Sequence, residues 1–392
     1  MSRRGMLDTV VVGGGVVGAA CALSLAQAGL GVALVEGREA AAWSAAAPDL
    51  RVFAIAPDNA EVLQSLGAWS GVLRSRAHAY RRMRVWDAAG GGELGFDADA
   101  LGREQLGWIV ENSLLQERLW SLLAGAGVQV LCPARVESME QDESSVRLRL
   151  EDGTRLQSRL AIAADGAQST LRELAGLQVS THDYRQRGVV AFVQTTGSHE
   201  DTAWQRFLPG GPLAFLPFAE GRSSIVWTLP DAEAERVLSI DDAVLGRELT
   251  NASQARLGEV TLVSERAAFP LRRQLAKDYV AGRVLVVGDA AHVVHPLAGQ
   301  GVNLGLRDVS GLHASIVDAQ ARGVSWDAPH RLSRWSRTRR SENAAAAYTF
   351  DAINRLFSNE EMHSSLLRGP LLGLAGRVPG LANAFWRRAS GL

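Results

Sequence analysis

The sequence predicts an α/β fold: a Rossmann-type domain, an inserted mostly antiparallel β-sheet and a C-terminal helical segment. Three observations predict it. A Val-rich strand near the N-terminus runs into a glycine-broken turn and a helix. The middle of the chain is β-rich with glycine turns. Near residue 283 a buried-strand pattern returns and leads into another helix.

Taken in order, residues 7–12 (LDTVVV) read as a buried strand, 16–29 as a helix ending at Gly29, and 31–36 as a second strand. This strand–helix–strand unit implies parallel pairing with a right-handed crossover. Residues 56–70 and 112–126 follow the helical period, the latter with Leu115, Leu119 and Leu122 on one face. A meander of strands follows to about residue 165, turning at Asp152-Gly153. From 180 to 275 the pattern is that of a separate, mostly antiparallel sheet, with turns at Gly210-Gly211 and Glu220-Gly221. Residues 283–288 return to the parallel-strand pattern, 301–320 continue as a helix, and 325–392 are mainly helical. The first domain is thus discontinuous, taking 1–75, 100–180 and 276–325. Residues 76–99 and 181–275 form the second, substrate domain, and 326–392 the helical segment.

Composition sets the outer limits. A chain of 392 residues has room for two domains, and 47% hydrophobic residues can fill a large core. Basic and acidic residues number 41 and 42, so net charge gives no reason to expect nucleic acid as a partner. Cys21 and Cys132 form no metal or redox spacing, which points to a reducing cytoplasm. The N-terminal apolar stretch is short and reads as a strand and turn rather than a signal peptide. No uninterrupted apolar run approaches the roughly 18 residues of a membrane-spanning helix.

Gly13, Gly15 and Gly18 form G-x-G-x-x-G at a strand-to-helix junction. The first permits the tight turn, the second lets backbone N–H groups approach a pyrophosphate, and the third lets helix and strand pack closely. Val17 lies within this turn. Glu36, ending the second strand, is placed to accept hydrogen bonds from an unphosphorylated ribose. Arg38 is either a phosphate partner or a plain surface charge. A second loop points to flavin rather than to nicotinamide alone. Residues 283–308 end a strand at Gly288-Asp289 and open a helix through Gly299, Gln300 and Gly301. Its N–H groups and helix dipole suit the negative charge of a reduced flavin ring. The Rossmann-type domain is therefore expected to be an FAD-binding domain. A third segment, AADGAQSTLR at 163–172, sits at another strand end.

In order and spacing, these three segments resemble the class A flavoprotein monooxygenases. Within that class the sequence is most similar to the ubiquinone-biosynthesis hydroxylases, through Arg51-Val52-Phe53-Ala54-Ile55, GPLAFLPF (211–218), SIVWTLP (224–230) and HPLAGQGVNLGLRD (295–308). The resemblance covers about 5–355. It implies an enzyme in which NAD(P)H reduces a bound FAD and O2 supplies the oxygen atom placed on the ring of a polyprenylated phenol. The glycine cradle and Glu36 would hold FAD, with Arg51 near flavin and phosphates, Asn112 and Val136 near the cofactor, and Asp165 in a segment that contacts FAD and nicotinamide. Asp289 would bind the ribityl chain or ribose. Pro296, Gly299, Gln300, Gly301, Val302 and Asn303 would border the isoalloxazine. Gly37 departs from the family, which often has Arg there; Arg38 is the candidate to substitute for it. No second G-x-G-x-x-G follows, so NAD(P)H would bind only transiently.

Other constellations are weighed against plainer readings. His292 and His295 are spaced H-x-x-H, but no Glu follows the first and no third ligand is suggested, so no metal is expected. His292 is the candidate proton donor, against a reading as a loop histidine packed beside the site. Ser44 and Ser169 lack a nucleophile-elbow motif. Phe215, Phe218 and Trp227 are candidates to line a substrate pocket, although strand alternation equally suits an ordinary core. Basic runs at 331–340 and 368–392, the latter with Trp386, Arg387 and Arg388, fit either a peripheral inner-membrane surface or a solvated helix face. A biosynthetic complex is a further candidate partner. Two rival activities stay open: hydroxylation of another aromatic compound, and flavin dehydrogenation or oxidation without hydroxylation.

Overall fold

The computed structural model describes residues 6–88, 93–295 and 301–358. Its mixed α/β architecture follows the predicted outline. The run Val10-Val11-Val12 is too apolar for a one-sided strand, and it becomes a central strand, Leu7–Val12, almost wholly buried. Leu7–Val12 pairs in parallel with Val32–Val35 on one side and with Arg155–Ala163 on the other. Gln129–Leu131 and Val284–Val286 extend the parallel sheet outward, one at each side. Val136–Gln141 and Val146–Leu150 form an antiparallel extension of it.

Helix Val16–Gln27 is apolar nearly all round. It is accordingly enclosed, packing on Asn112–Leu123 and on Gly301–Ala321. Ser24 and His313 hydrogen-bond across the latter contact at 2.9 Å.

The second layer is an eight-stranded sheet. In order it runs His292–Val293, Val260–Ala276, Val179–Thr195, Arg222–Pro230, Gly211–Pro217, Thr202–Leu208, Arg82–Asp87 and Glu93–Asp97. All neighbours are antiparallel except Thr202–Leu208 with Arg82–Asp87. Two 17-residue strands, Val179–Thr195 and Val260–Ala276, form its spine. A small sheet of Val52–Ile55, Gly107–Glu111 and Ala77–Tyr80 lies apart from both large sheets.

Two elements differ from expectation. The helix expected over 56–70 is two helices, Pro57–Ser65 and Trp69–Arg76, because Gly67 adopts φ +87° and ends the first. The β-rich middle also contains two helices, Asp231–Ser239 and Asp242–Ala252. Their apolar residues Ala234, Val237, Leu245 and Leu249 cover one face of the large sheet, where Leu213, Phe215, Ile225 and Trp227 are buried. Each such large side chain contributes roughly 1.5–3 kcal/mol when withdrawn from water. Among the described residues no helix is long and apolar enough to cross a membrane.

Candidate active site

The three motif segments meet because the strands that end in them are neighbours. Val12, Val35, Ala163 and Val286 close adjacent parallel strands. Ala164 donates its N–H to Val12 at 2.7 Å, Gly13 to Val35 at 2.8 Å and Val287 to Ala163 at 3.0 Å. The carboxyl ends of such strands are where an open α/β sheet leaves a crevice. Here a cavity of about 1040 Å³ starts at that crevice and continues onto the antiparallel sheet.

The glycine turn shows three separate constraints. Gly13 has φ +106°, and a Cβ there would lie 2.3 Å from the Ala164 carbonyl oxygen. At Gly18 it would lie 1.9 Å from the Gly13 oxygen, so that glycine serves helix–strand contact. At Gly15 it would meet nothing within 4 Å, since this residue faces the cavity. The Glu36 carboxylate accepts from the Gly14 and Arg38 amides, which fixes it at the rim. Trp120 and Gln116 donate to the Gly14 carbonyl at 2.6 and 2.9 Å, pinning the turn from below.

Val17, Arg38, Arg51, Asn112, Val136, Asp165, Asp289, Gly301 and Val302 also line the cavity. Arg51 and Asp289 approach to 3.9 Å, both about half exposed. The loop leading to Arg51 is held by buried Glu111, which accepts from Arg76 at 2.8 Å, Asp49 at 3.0 Å and Trp43 at 3.1 Å. Burial pushes the Asp165 carboxyl up, against hydrogen bonds from Ser169 and Leu171 that favour its charge. Arg135, unremarked in the sequence, packs over Gly37, its Nε 3.0 Å from where a Cβ would be. A guanidinium from another strand connection thus stands where the family often has an Arg at 37.

Several expected site residues do other work. Gly288, φ +57°, packs on Val17. Asn303 is fully buried and clamps its helix to the small sheet, accepting from the Ala56 amide at 3.0 Å and donating to the Ala54 carbonyl at 2.8 Å. Pro296, Gly299 and Gln300 lie outside the described residues. Phe215 and Trp227 face the helices on the far side of the sheet, and Phe218 packs on Phe192 at 4.6 Å in a separate cluster. The cavity instead takes their strand neighbours Ala214, Leu216, Val226 and Thr228, with Val190, Gln205, Pro212 and Phe269. A strand has two faces, and burial on both hid which one the cavity uses.

The histidine pair exchanges roles. His292 is fully buried and away from the cavity, its Nε2 2.6 Å from Asp308. Asp308 also accepts from the Gly288 amide at 3.1 Å and from Arg339 and Asn343 at 2.9 Å each. His292 therefore braces the loop carrying Asp289 and is not placed as a proton donor. His295 lines the cavity with 1% of its surface exposed. Neither of its ring nitrogens has a hydrogen-bond partner. Burial pushes its imidazole down to about 4, against a weaker opposing pull from Asp351, so the ring is neutral at pH 7.

Among the described residues one other group has metal-ligand types close together: His78, His199 and Asp201. His78 hydrogen-bonds Asp201 at 2.9 Å, while His199 contacts the Asp201 amide at 3.1 Å and the Phe218 carbonyl at 3.3 Å. Both His199 nitrogens and the His78 Nε2 are thus engaged in hydrogen bonds. The basic run 331–340 is partly used internally: Arg331 pairs with Asp318, Arg339 with Asp308 and Arg340 with Asp278. The run 368–392 lies outside the described residues.

The chain is similar to known proteins over most of its length. Residues 6–346 match the family model described as FAD binding domain. The chain is 36% identical to 3-demethoxyubiquinol 3-hydroxylase of Escherichia coli, covering 98% of both chains. It is also 36% identical to ubiquinone hydroxylase UbiL of Rhodospirillum rubrum, over 98% of this chain and 89% of that one. The fold is similar to the crystal structure of p-nitrophenol 4-monooxygenase PnpA from Pseudomonas putida, with TM-score 0.78, 20% identity and 98% coverage of each chain.

Proposed function

The chain belongs to the FAD binding domain family and is an FAD-dependent monooxygenase; from that premise we propose that it hydroxylates the aromatic ring of a polyprenylated phenol in ubiquinone biosynthesis, using NAD(P)H and O2. The observation that carries this reading is one continuous cavity, which runs from the glycine turn to an apolar sheet face.

The residues present fit FAD. Gly15 leaves the cradle open where a Cβ would intrude, and Glu36 holds a carboxylate at the end of the second strand, where a ribose hydroxyl can donate to it. Gly13 and Gly15 would hold the pyrophosphate, Arg38 and Arg135 would add positive charge, and Arg51 and Asp289 would meet the flavin side. Gly301 and Val302 open a 21-residue helix whose N-terminal dipole favours negative charge in the cavity. When bound, FAD supplies the redox and oxygen-transfer chemistry.

The chain's own part is to bind, orient and exclude water. Leu216, Val226, Pro212 and Phe269 give the far end an apolar wall suited to an aromatic ring with a hydrocarbon tail. No catalytic nucleophile is needed, because the substrate ring is itself the electron-rich partner. A deletion strain is expected to accumulate an under-hydroxylated prenylphenol, identified by mass spectrometry. A normal quinone profile would remove the ubiquinone assignment. Label from 18O2 absent from the product would remove hydroxylation altogether.

The same reading includes peripheral attachment to the inner membrane, supported by the four arginines, no acid and several large apolar residues of 368–392. Truncation after residue 365 is expected to lower co-sedimentation with anionic liposomes. Unchanged sedimentation would remove the attachment.

A further inference from the structure

His295 is a buried polar side chain without a partner inside the substrate cavity. Both ring nitrogens are shielded from water and neither has a hydrogen-bond partner, so a ligand reaches one only as the ring turns toward the cavity that it lines. Leaving such groups unpaired is costly, and native proteins rarely do so where a ligand is not meant to complete them. The ring has an aromatic neighbour. It stacks edge-on against Tyr184 at 5.1 Å, and Tyr184 donates its hydroxyl to Asp351, which is itself paired with Arg273.

Its position favours the substrate end of the cavity. His295 follows the short strand His292–Val293, which adds to the edge of the antiparallel sheet through Val260–Ala276. Neighbouring Val294 packs with Phe207, Leu304, Ala347 and Phe350. The glycine turn and Glu36 belong to the other sheet. A neutral imidazole offers one donor and one acceptor, and a phenol hydroxyl offers the same pair.

We propose that His295 receives the phenolic hydroxyl of the substrate, its hydrogen-free ring nitrogen accepting the O–H. The inference rests on the phenol-hydroxylase reading. The bond fixes which way the ring enters, because the hydroxyl must end at His295 while the tail follows the apolar wall. It also selects against ethers, which have no hydrogen to give. An ether oxygen can only accept, so it leaves the hydrogen-free ring nitrogen unpaired.

The test uses the full-length, FAD-loaded protein without reductant, so no turnover occurs. The probes are 2-geranylphenol and its methyl ether, and the readout is the dissociation constant from the change in flavin absorbance. The wild type is expected to prefer the phenol by roughly tenfold, the worth of one buried hydrogen bond. His295→Phe is expected to lose that preference while FAD affinity stays unchanged, and His295→Gln, which keeps an acceptor, to recover part of it. Equal binding of both probes by the wild type overturns the inference alone. So does a preference undiminished in His295→Phe and His295→Gln, or a change confined to FAD affinity. If the wild type takes up FAD but binds neither probe, the phenol reading falls and the inference falls with it.

Discussion

Gly15 and Gly18 lie three residues apart in one motif, yet the structure separates what they do. A methyl group on Gly18 would sit 1.9 Å from the Gly13 carbonyl oxygen, where ordinary contact begins near 3.4 Å. Helix and strand would have to part by about 1.5 Å, the difference between those two distances. Overpacking of this kind costs about 1–3 kcal/mol, and the helix-forming advantage of Ala returns about 0.5–1. Because the clashing atom is backbone, the upper end of that cost applies, and Gly18→Ala should destabilise the apoprotein by about 2 kcal/mol, with FAD uptake impaired as a consequence. Gly15 has φ −65° and ψ 179°, allowed for any residue, and open space where the methyl would go. Gly15→Ala should leave apoprotein stability within about 1 kcal/mol, the scale of a weakened helix cap. It should nevertheless weaken FAD binding roughly 10- to 100-fold, by holding the pyrophosphate off charge-assisted N–H contacts. Denaturant unfolding of the apoproteins and FAD fluorescence quenching measure the two effects separately. Wild-type FAD affinity in Gly15→Ala, or wild-type apoprotein stability in Gly18→Ala, would refute the division of labour.

Other outcomes follow from the buried polar groups. Asp308→Ala removes the acceptor shared by His292, Arg339, Asn343 and the Gly288 amide, leaving a nearly buried guanidinium with less counter-charge. A loss of about 3 kcal/mol is expected in denaturant unfolding, and a change within about 0.5 kcal/mol, as is typical of surface sites, would contradict it. His295 is held near 4 in the folded protein against an ordinary 6.5. The unfolded chain then binds the extra proton between those values, so this group's contribution is complete above about pH 6.5 and is lost as pH falls towards 4, a span of about 3 kcal/mol. His295→Gln should show a correspondingly flatter loss of stability between pH 7.5 and 4.5; identical pH dependence would refute the assignment. Glu36→Ala removes the carboxylate held by the Gly14 and Arg38 amides, and FAD affinity should drop roughly tenfold in the same quenching titration.

The glycine-turn end of the cavity was legible because it is local. Gly13, Gly15, Gly18 and Glu36 belong to one strand–turn–helix–strand unit, and backbone geometry there needs no distant partner. The Asp165 and Asp289 segments were legible as strand ends for the same reason, and parallel pairing brings strand ends together. Where a polar residue in these segments makes its main contact elsewhere, as Asn303 does with Ala54 and Ala56, the local pattern does not record it.

The sequence by itself determined the α/β class, the return of a parallel strand near residue 284 and the glycine turn, since periodicity and turn chemistry are properties of short stretches. Only the tertiary structure decided which face of the large sheet meets the cavity. Two helices cover Phe215 and Trp227, leaving Ala214, Leu216 and Val226 to the other side. It also decided between His292 and His295. The first is satisfied by Asp308, sixteen residues on and brought close by the packing of helix Gly301–Ala321. The second is left facing the cavity unpaired. Burial and partnership depend on which distant segments close over a residue, and nothing within a few positions of a side chain records that.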